Sequence, residues 1–199
     1  MKHLKMLGLF AMAAAALMAF AGSASAQTLT APTGTTYTGA LSSSLEGSAL
    51  LKAGFAEITC TTGTVAGSVT TNNNTEASGS ITEVSFSNCK EGQTVDTLSS
   101  TGTLTILKST HAVSGTGTEV TTAVGGISCV YGLGATSTAL GTATNTEVET
   151  KAEEKPKEDR VTLAISAKLP KISGGFLCAS PATWTANYVV TSPAGSFLD

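Results

Sequence analysis

Apolar and polar residues alternate along much of this chain with a period of two, the period of a β-strand. The clearest run is 161–169, where the odd positions are apolar and the even positions are mostly small or polar. Trp184, Ala186, Tyr188 and Val190 share one face of a second run. Because successive side chains of a strand point to opposite sides, each run predicts a strand with one buried face.

One segment breaks this alternation. Between positions 81 and 89, Val84 and Phe86 fall on one face, whereas Ile81 and Cys89 fall on the other. Two explanations are open: a β-bulge that inserts an extra residue into the strand, or a strand that is covered on both faces.

Candidate strands follow one another at short spacing, separated by Gly, Asn and Ser residues that favour turns. They lie at 36–41, 47–52, 56–60, 64–71, 79–88, 102–108, 117–124, 126–131, 135–143, 160–169 and 183–191. Beyond the first 26 residues no stretch has a sustained helical period, and no β-α-β spacing is present. The pattern predicts an all-β protein, an antiparallel sandwich or barrel-like fold, as a single domain over 36–199.

The first 26 residues have the features of a cleaved secretory signal peptide. Lys2 and Lys5 give the basic start, residues 6–21 give a short apolar stretch, and Ala24-Ser25-Ala26 gives the small residues of a cleavage site. We expect this segment to be a removable helix, and the mature chain to begin near Gln27 with a flexible leader over 27–35. The protein is then secreted or at the cell surface, with no integral membrane segment in the mature chain, and the short Lys-rich signal favours a bacterial source.

Four cysteines, an even number in an exported chain, predict two disulfides. Three pairings of Cys60, Cys89, Cys129 and Cys178 are open. A weak internal repeat favours sequential pairing, because Ile-Thr-Cys60 and Ile-Ser-Cys129 open similar stretches in two similar halves, 36–110 and 111–199. Chance likeness in a chain rich in Thr, Ser, Gly and Ala is the alternative.

Composition and charge narrow the function classes. The mature chain carries nine basic against fourteen acidic residues, a net charge of −5, and its one arginine is Arg160. Binding to nucleic acid needs clustered Lys and Arg, so we expect no such partner. The mixed charges of 151–160, broken by Pro156, predict a solvated loop. With one mature histidine and no C-x-x-C, we expect no metal site.

No arrangement of residues predicts catalysis. His111 lies in Ser-Thr-His-Ala-Val without a nucleophile elbow, which favours an ordinary turn or surface histidine. The carboxylates are scattered along the chain, at Glu46, Glu57, Glu76, Glu83, Glu91 and Asp96. The glycine pairs 115/117 and 132/134 do not open a helix and so do not predict a phosphate loop. We therefore expect a protein that is not an enzyme and carries no catalytic residue and no cofactor.

Four segments carry a resemblance to known proteins. They are Thr38-Gly-Ala-Leu41, Ala56-Glu-Ile-Thr-Cys60, Gly63-Thr-Val65 and Gly79-Ser-Ile-Thr-Glu-Val-Ser-Phe-Ser-Asn-Cys89. Their layout resembles small exported bacterial β proteins of mostly unknown function, a set that includes the protein activators of alkane oxidation. The resemblance implies an extracellular accessory role on hydrophobic substrates, and it brings no catalytic signature.

Two functions fit these observations. The first is a secreted, non-enzymatic β protein with a structural, adhesive or surface-coating role, in which unpaired strand edges support self-association or a surface polymer. The alternative is an extracellular binding module for an apolar small molecule. That alternative predicts a hollow core, with a cavity lined by Trp184, Tyr188, Phe86 or Phe176.

Overall fold

A computed structural model of the chain describes residues 29–30, 35–99, 102–148 and 158–198. The predicted signal peptide and most of the charged loop 151–160 lie outside these residues. Within them the chain forms strands and no helix. The strands are β1 (Leu29–Thr30), β2 (Gly39–Ala53), β3 (Ala56–Asn72), β4 (Glu76–Cys89), β5 (Gln93–Ser99), β6 (Gly102–Leu107), β7 (Ala112–Thr116), β8 (Glu119–Val124), β9 (Ile127–Gly132), β10 (Thr138–Val148), β11 (Glu158–Leu169), β12 (Lys171–Gly174), β13 (Ala182–Ser192) and β14 (Phe197–Leu198).

Eight antiparallel strands close into a barrel in the order β10-β11-β13-β2-β3-β4-β6-β7, with β7 pairing back to β10. A second sheet has the order β12-β9-β8-β5, and β1 pairs with β14. This confirms the all-β prediction in its barrel-like form. The stretches 36–110 and 111–199 each supply four barrel strands, so the core needs both. No helical segment in the described ranges has the length and apolar character needed to cross a lipid bilayer.

The predicted alternation is confirmed in the strands that carried it most clearly. In β11 the odd positions 161–169 are all buried, and they point into the barrel core. In β13, Ala186, Tyr188 and Val190 are buried and Trp184 packs against the same core. These strands are half-buried because one face meets the interior and the other meets solvent.

The broken alternation in β4 is a β-bulge, the first of the two explanations. Ala66 and Gly67 are adjacent on β3, yet their partners on β4 are Glu83 and Ile81. One residue of β4 is therefore left without a partner, which brings Ile81 and Val84 to the same side. Both are buried, so the bulge adds a second apolar side chain to the barrel interior.

Several predicted strand limits were wrong. Segments 36–41 and 47–52 were expected as two strands, but 39–53 is continuous in β2. In the same way, β3 spans the expected break at 61–63. The small polar residues at these places pair with neighbouring strands instead of forming turns, as Ser44 does with Thr64. The short strands β5, β7 and β12 were not predicted, because they have few apolar residues or lie next to turn residues.

One end of the barrel is closed by β1 and β14, which we call the sealed end. Leu29 and Thr30 are 2% and 1% exposed, so this part of the predicted flexible leader is packed. Asn72 Nδ2 donates to the Leu29 carbonyl (2.7 Å), and Lys108 Nζ donates to Asn72 Oδ1 (3.0 Å). Asn145 makes two hydrogen bonds to the backbone of β14. These side chains hold the terminal strands over the barrel end.

The four cysteines form the two predicted disulfides, Cys60–Cys89 and Cys129–Cys178. The first joins facing positions of the neighbouring barrel strands β3 and β4. The second joins β9 of the small sheet to the loop that follows β12. The sequential pairing is therefore confirmed. The internal repeat that motivated it receives no support, because the two bridges connect different kinds of elements.

Candidate ligand site

The barrel interior holds an apolar space of about 80 Å³, which we call the inner cavity. Its walls come from barrel strands and also from Val95 and Val120, so the small sheet completes the wall. Phe86, Trp184 and Tyr188 belong to this lining. The Trp184 ring lies edge-on to both neighbours, with centroid distances of 6.5 Å to Phe86 and 6.1 Å to Tyr188. No charged residue lines this space in the described part of the chain.

A larger space of about 270 Å³ lies beside the inner cavity, and we call it the mouth groove. Its wall includes Phe55 at the tip of the β2–β3 hairpin, Val124 and Ile127 at the β8–β9 hairpin, and Leu177 in the loop after β12. Glu57 is the one charged residue in the lining that the structure describes. The groove is thus an apolar depression built from turns at one end of the barrel.

The inner cavity and the mouth groove share walls. Leu51, Ile58 and Tyr131 line both spaces. These three side chains, two of them aliphatic, therefore belong to the wall between the groove and the barrel interior. A molecule that passed from the groove to the barrel interior would have to displace side chains of this shared wall, of which Leu51 and Ile58 are buried.

The loop that borders the mouth groove is fixed at two points. Cys178 is bonded to Cys129 on β9, and the Tyr131 hydroxyl donates to the carbonyl of Ala179 at 3.0 Å. Next to these anchors, Phe176 is 94% exposed. The anchored loop holds Leu177 in the groove wall and leaves Phe176 in solvent.

The structure confirms three of the four predicted cavity residues. Phe86, Trp184 and Tyr188 line the inner cavity, and alternation had already placed Trp184 and Tyr188 on one face of a strand. Phe176 was predicted wrongly, because it lies in the anchored loop and does not line either space. Phe55, which is 78% exposed, was missed because a single aromatic in a turn carries no periodic signal.

Two hydroxyl groups at the inner cavity have no hydrogen-bond partner in the described structure. They are the Tyr188 OH and the Thr118 Oγ1, and both residues line the cavity. Tyr188 is 2% exposed, and burial raises the pKa of its phenol, so the group stays neutral and keeps its proton. Ser43 lines the same space, but its hydroxyl is satisfied by the Val65 carbonyl at 3.2 Å. Buried polar groups usually have partners, so the two unsatisfied hydroxyls call for an explanation.

The residues considered for catalysis are dispersed. His111 lies in the β6–β7 connection with a positive φ of 55°, and its carbonyl accepts a hydrogen bond from Ala143 N. Of the six carboxylates weighed for catalysis, Glu76 is half-buried and the others are exposed. The pair Glu57–Lys90, at 4.0 Å, is exposed and worth little. No group of three or more potential metal ligands occurs in the ranges that the structure covers.

Comparison with known proteins gives no relative for this fold and site. No protein-family model, no curated protein and no solved structure matches the chain. The resemblance to small exported bacterial β proteins therefore stays a prediction.

Proposed function

We propose that this protein is an extracellular binding module for an apolar small molecule, which enters through the mouth groove and reaches the inner cavity. The observation that supports the proposal is the apolar space inside a closed barrel, with an apolar groove beside it at one end. Extracellular placement is supported by the two disulfides, which persist in oxidising surroundings.

The lining favours an uncharged, apolar occupant. Moving apolar surface out of water contributes about 25 cal/mol per Å², and the lining offers aliphatic and aromatic side chains on all sides. An ionised ligand would lose its hydration without meeting a charge of opposite sign in the inner cavity. Because the sealed end is covered by β1 and β14, we place ligand entry at the mouth groove.

The structural or adhesive role has less support from the structure than it had from the sequence. That role rested on unpaired strand edges, which can template assembly. Barrel closure pairs each of the eight barrel strands on both sides. In the described chain the edges of the small sheet are β5 and β12, and β12 is short and has a shifted register. The role stays a prediction, and in the small sheet it rests on the seven-residue edge strand β5.

A neutral fluorescent dye tests the binding proposal. N-phenyl-naphthylamine brightens when it leaves water, so titration into the purified protein should give a saturable increase. Ala56 lines the mouth groove, and Ala56→Trp should fill part of it and weaken dye binding by about tenfold, or 1.4 kcal/mol. The matched control is Phe176→Trp, which places the same side chain outside the groove and should leave the affinity unchanged.

Two results would count against the proposal. One is a wild-type protein that gives no saturable signal after delipidation. The other is an Ala56→Trp variant that folds normally and binds the dye as tightly as the wild type, since the dye would then sit elsewhere.

A further inference from the structure

We infer that the natural ligand is a neutral molecule with one hydrogen-bonding oxygen. The oxygen end enters first and meets the hydroxyls of Tyr188 and Thr118, while the apolar remainder lies toward the mouth groove. The inference rests on the proposed function and adds to it the chemical class and the orientation of the ligand.

The unsatisfied hydroxyls carry this inference. An apolar core of this kind is normally built from side chains without polar atoms, and phenylalanine and valine have almost the shapes of tyrosine and threonine. Tyr188 OH and Thr118 Oγ1 instead expose no surface to solvent and find no partner in the described structure. Leaving such groups unpaired is unfavourable. Because both residues line the inner cavity, a ligand oxygen placed there is a candidate for the missing partner.

The surroundings of the two hydroxyls select a neutral oxygen. No Lys, Arg or His lines the inner cavity in the part of the chain described, so a carboxylate would be buried without a countercharge. A hydroxyl or carbonyl oxygen avoids this cost. Tyr188 keeps its proton when buried and is therefore able to donate to either group.

The shared wall suggests the orientation. The inner cavity, at about 80 Å³, has room for the oxygen end of a ligand, since one water molecule needs about 10–15 Å³ in the same measure. Leu51 and Ile58 line both this cavity and the mouth groove of about 270 Å³. We therefore expect the remainder of an elongated ligand such as decanol to lie past these two residues, toward the groove.

Three ligands of equal chain length test the class. Decanol, decene and decanoate are each titrated against the dye on wild-type protein, Tyr188→Phe and Thr118→Val. The wild type should prefer decanol over decene and over decanoate by about fivefold or more. Both variants should lose most of the preference for decanol over decene, with binding of decene itself unchanged. Tyr37→Phe is the matched control, because Tyr37 lies outside both spaces and its hydroxyl bonds to Ala40 O.

Each outcome separates the two proposals. If neither decanol nor decene displaces the dye, the proposed function fails. The inference about the ligand oxygen is overturned if decanol and decene bind equally to the wild type, or if Tyr188→Phe and Thr118→Val keep the full preference for decanol. In either case the proposal of apolar binding survives, and water fills the cavity beside the hydroxyls. A preference for decanoate would overturn the neutral class.

Discussion

Replacing Tyr188 by phenylalanine should stabilise the ligand-free protein, which is the reverse of the usual effect of a core substitution. The Tyr188 ring stays packed against Trp184, and only the hydroxyl is removed. That hydroxyl is buried and has no partner in the described structure. An unsatisfied buried polar group costs about 1–3 kcal/mol, so Tyr188→Phe should raise the free energy of unfolding by about 1–2 kcal/mol. For a chain of this length, each kcal/mol corresponds to about 2–4 °C in Tm.

A second tyrosine provides the matched comparison. Tyr131 is as deeply buried, at 1% exposure, but its hydroxyl donates to the Ala179 carbonyl at 3.0 Å. Tyr131→Phe removes one partner of a formed hydrogen bond and should lower the free energy of unfolding by about 0.5–1.5 kcal/mol. Each substitution deletes the hydroxyl group of a buried tyrosine. Opposite signs of the change in the free energy of unfolding would therefore isolate the effect of hydrogen-bond satisfaction.

The assay is urea unfolding at neutral pH on delipidated protein with both disulfides intact. It is followed by circular dichroism and fitted to two states. Loss of 1 kcal/mol or more in Tyr188→Phe would refute the reasoning, because it would mean that the hydroxyl has a partner, such as a bound water, that stabilises the fold.

The same substitution changes the stability at alkaline pH. Burial raises the pKa of Tyr188 above its unfolded value of about 10. Above that pH the unfolded chain releases the Tyr188 proton, whereas the folded chain keeps it. The free energy of unfolding is therefore unaffected by this ionisation below about pH 10 and falls as the pH rises above it. The wild type should therefore lose stability faster than Tyr188→Phe above pH 10, by up to about 1.4 kcal/mol per pH unit. Equal slopes in the two proteins would contradict the buried, neutral phenol.

Two further substitutions test the architecture. Gly141 sits at a register shift in β10 with a φ of +154°, and a Cβ there would lie 1.9 Å from the Ala164 carbonyl oxygen. Gly141→Ala should therefore lower the free energy of unfolding by about 2 kcal/mol or more in the same urea assay. Gly175 has open space around it, so Gly175→Ala should change that free energy by no more than about 0.5 kcal/mol. Removing the Cys129–Cys178 disulfide should cost up to about 4 kcal/mol. Dye titration on this variant should show a loss of affinity, because the bridge fixes the loop at the mouth groove; an unchanged dye affinity would contradict that role.

Sequence reasoning was reliable where a local pattern decides the structure. The alternation in β11 and β13 identified inward-facing residues, among them Trp184 and Tyr188, because side chains of a strand alternate whatever its partners are. The even number of cysteines predicted the disulfides. The break in β4 was recognised but not resolved, because a bulge is defined by the pairing with β3, which sequence alone does not give.

The rest depends on contacts between residues that are distant in sequence. Barrel closure joins β7 to β10 and β2 to β13, and no local pattern specifies either pair. The mouth groove is assembled from three separate turns, so its apolar residues, such as Phe55 and Leu177, are unremarkable when each is read in its own segment. Thr118 was missed because nothing in the sequence distinguishes its unpaired hydroxyl from the many threonines on the outer face.

The composition explains why this barrel is hollow. An eight-stranded barrel is just wide enough for side chains to fill its interior, and filling it takes large residues. Here many inward positions are small, and aromatics make up only 5% of the chain. The inward alanines include Ala49, Ala77, Ala143, Ala167 and Ala186. The low aromatic content thus leaves the interior under-filled, and the bulge in β4 turns one more apolar side chain toward the space that results. A core built in this way forgoes packing energy, and a ligand that fills the cavity restores it.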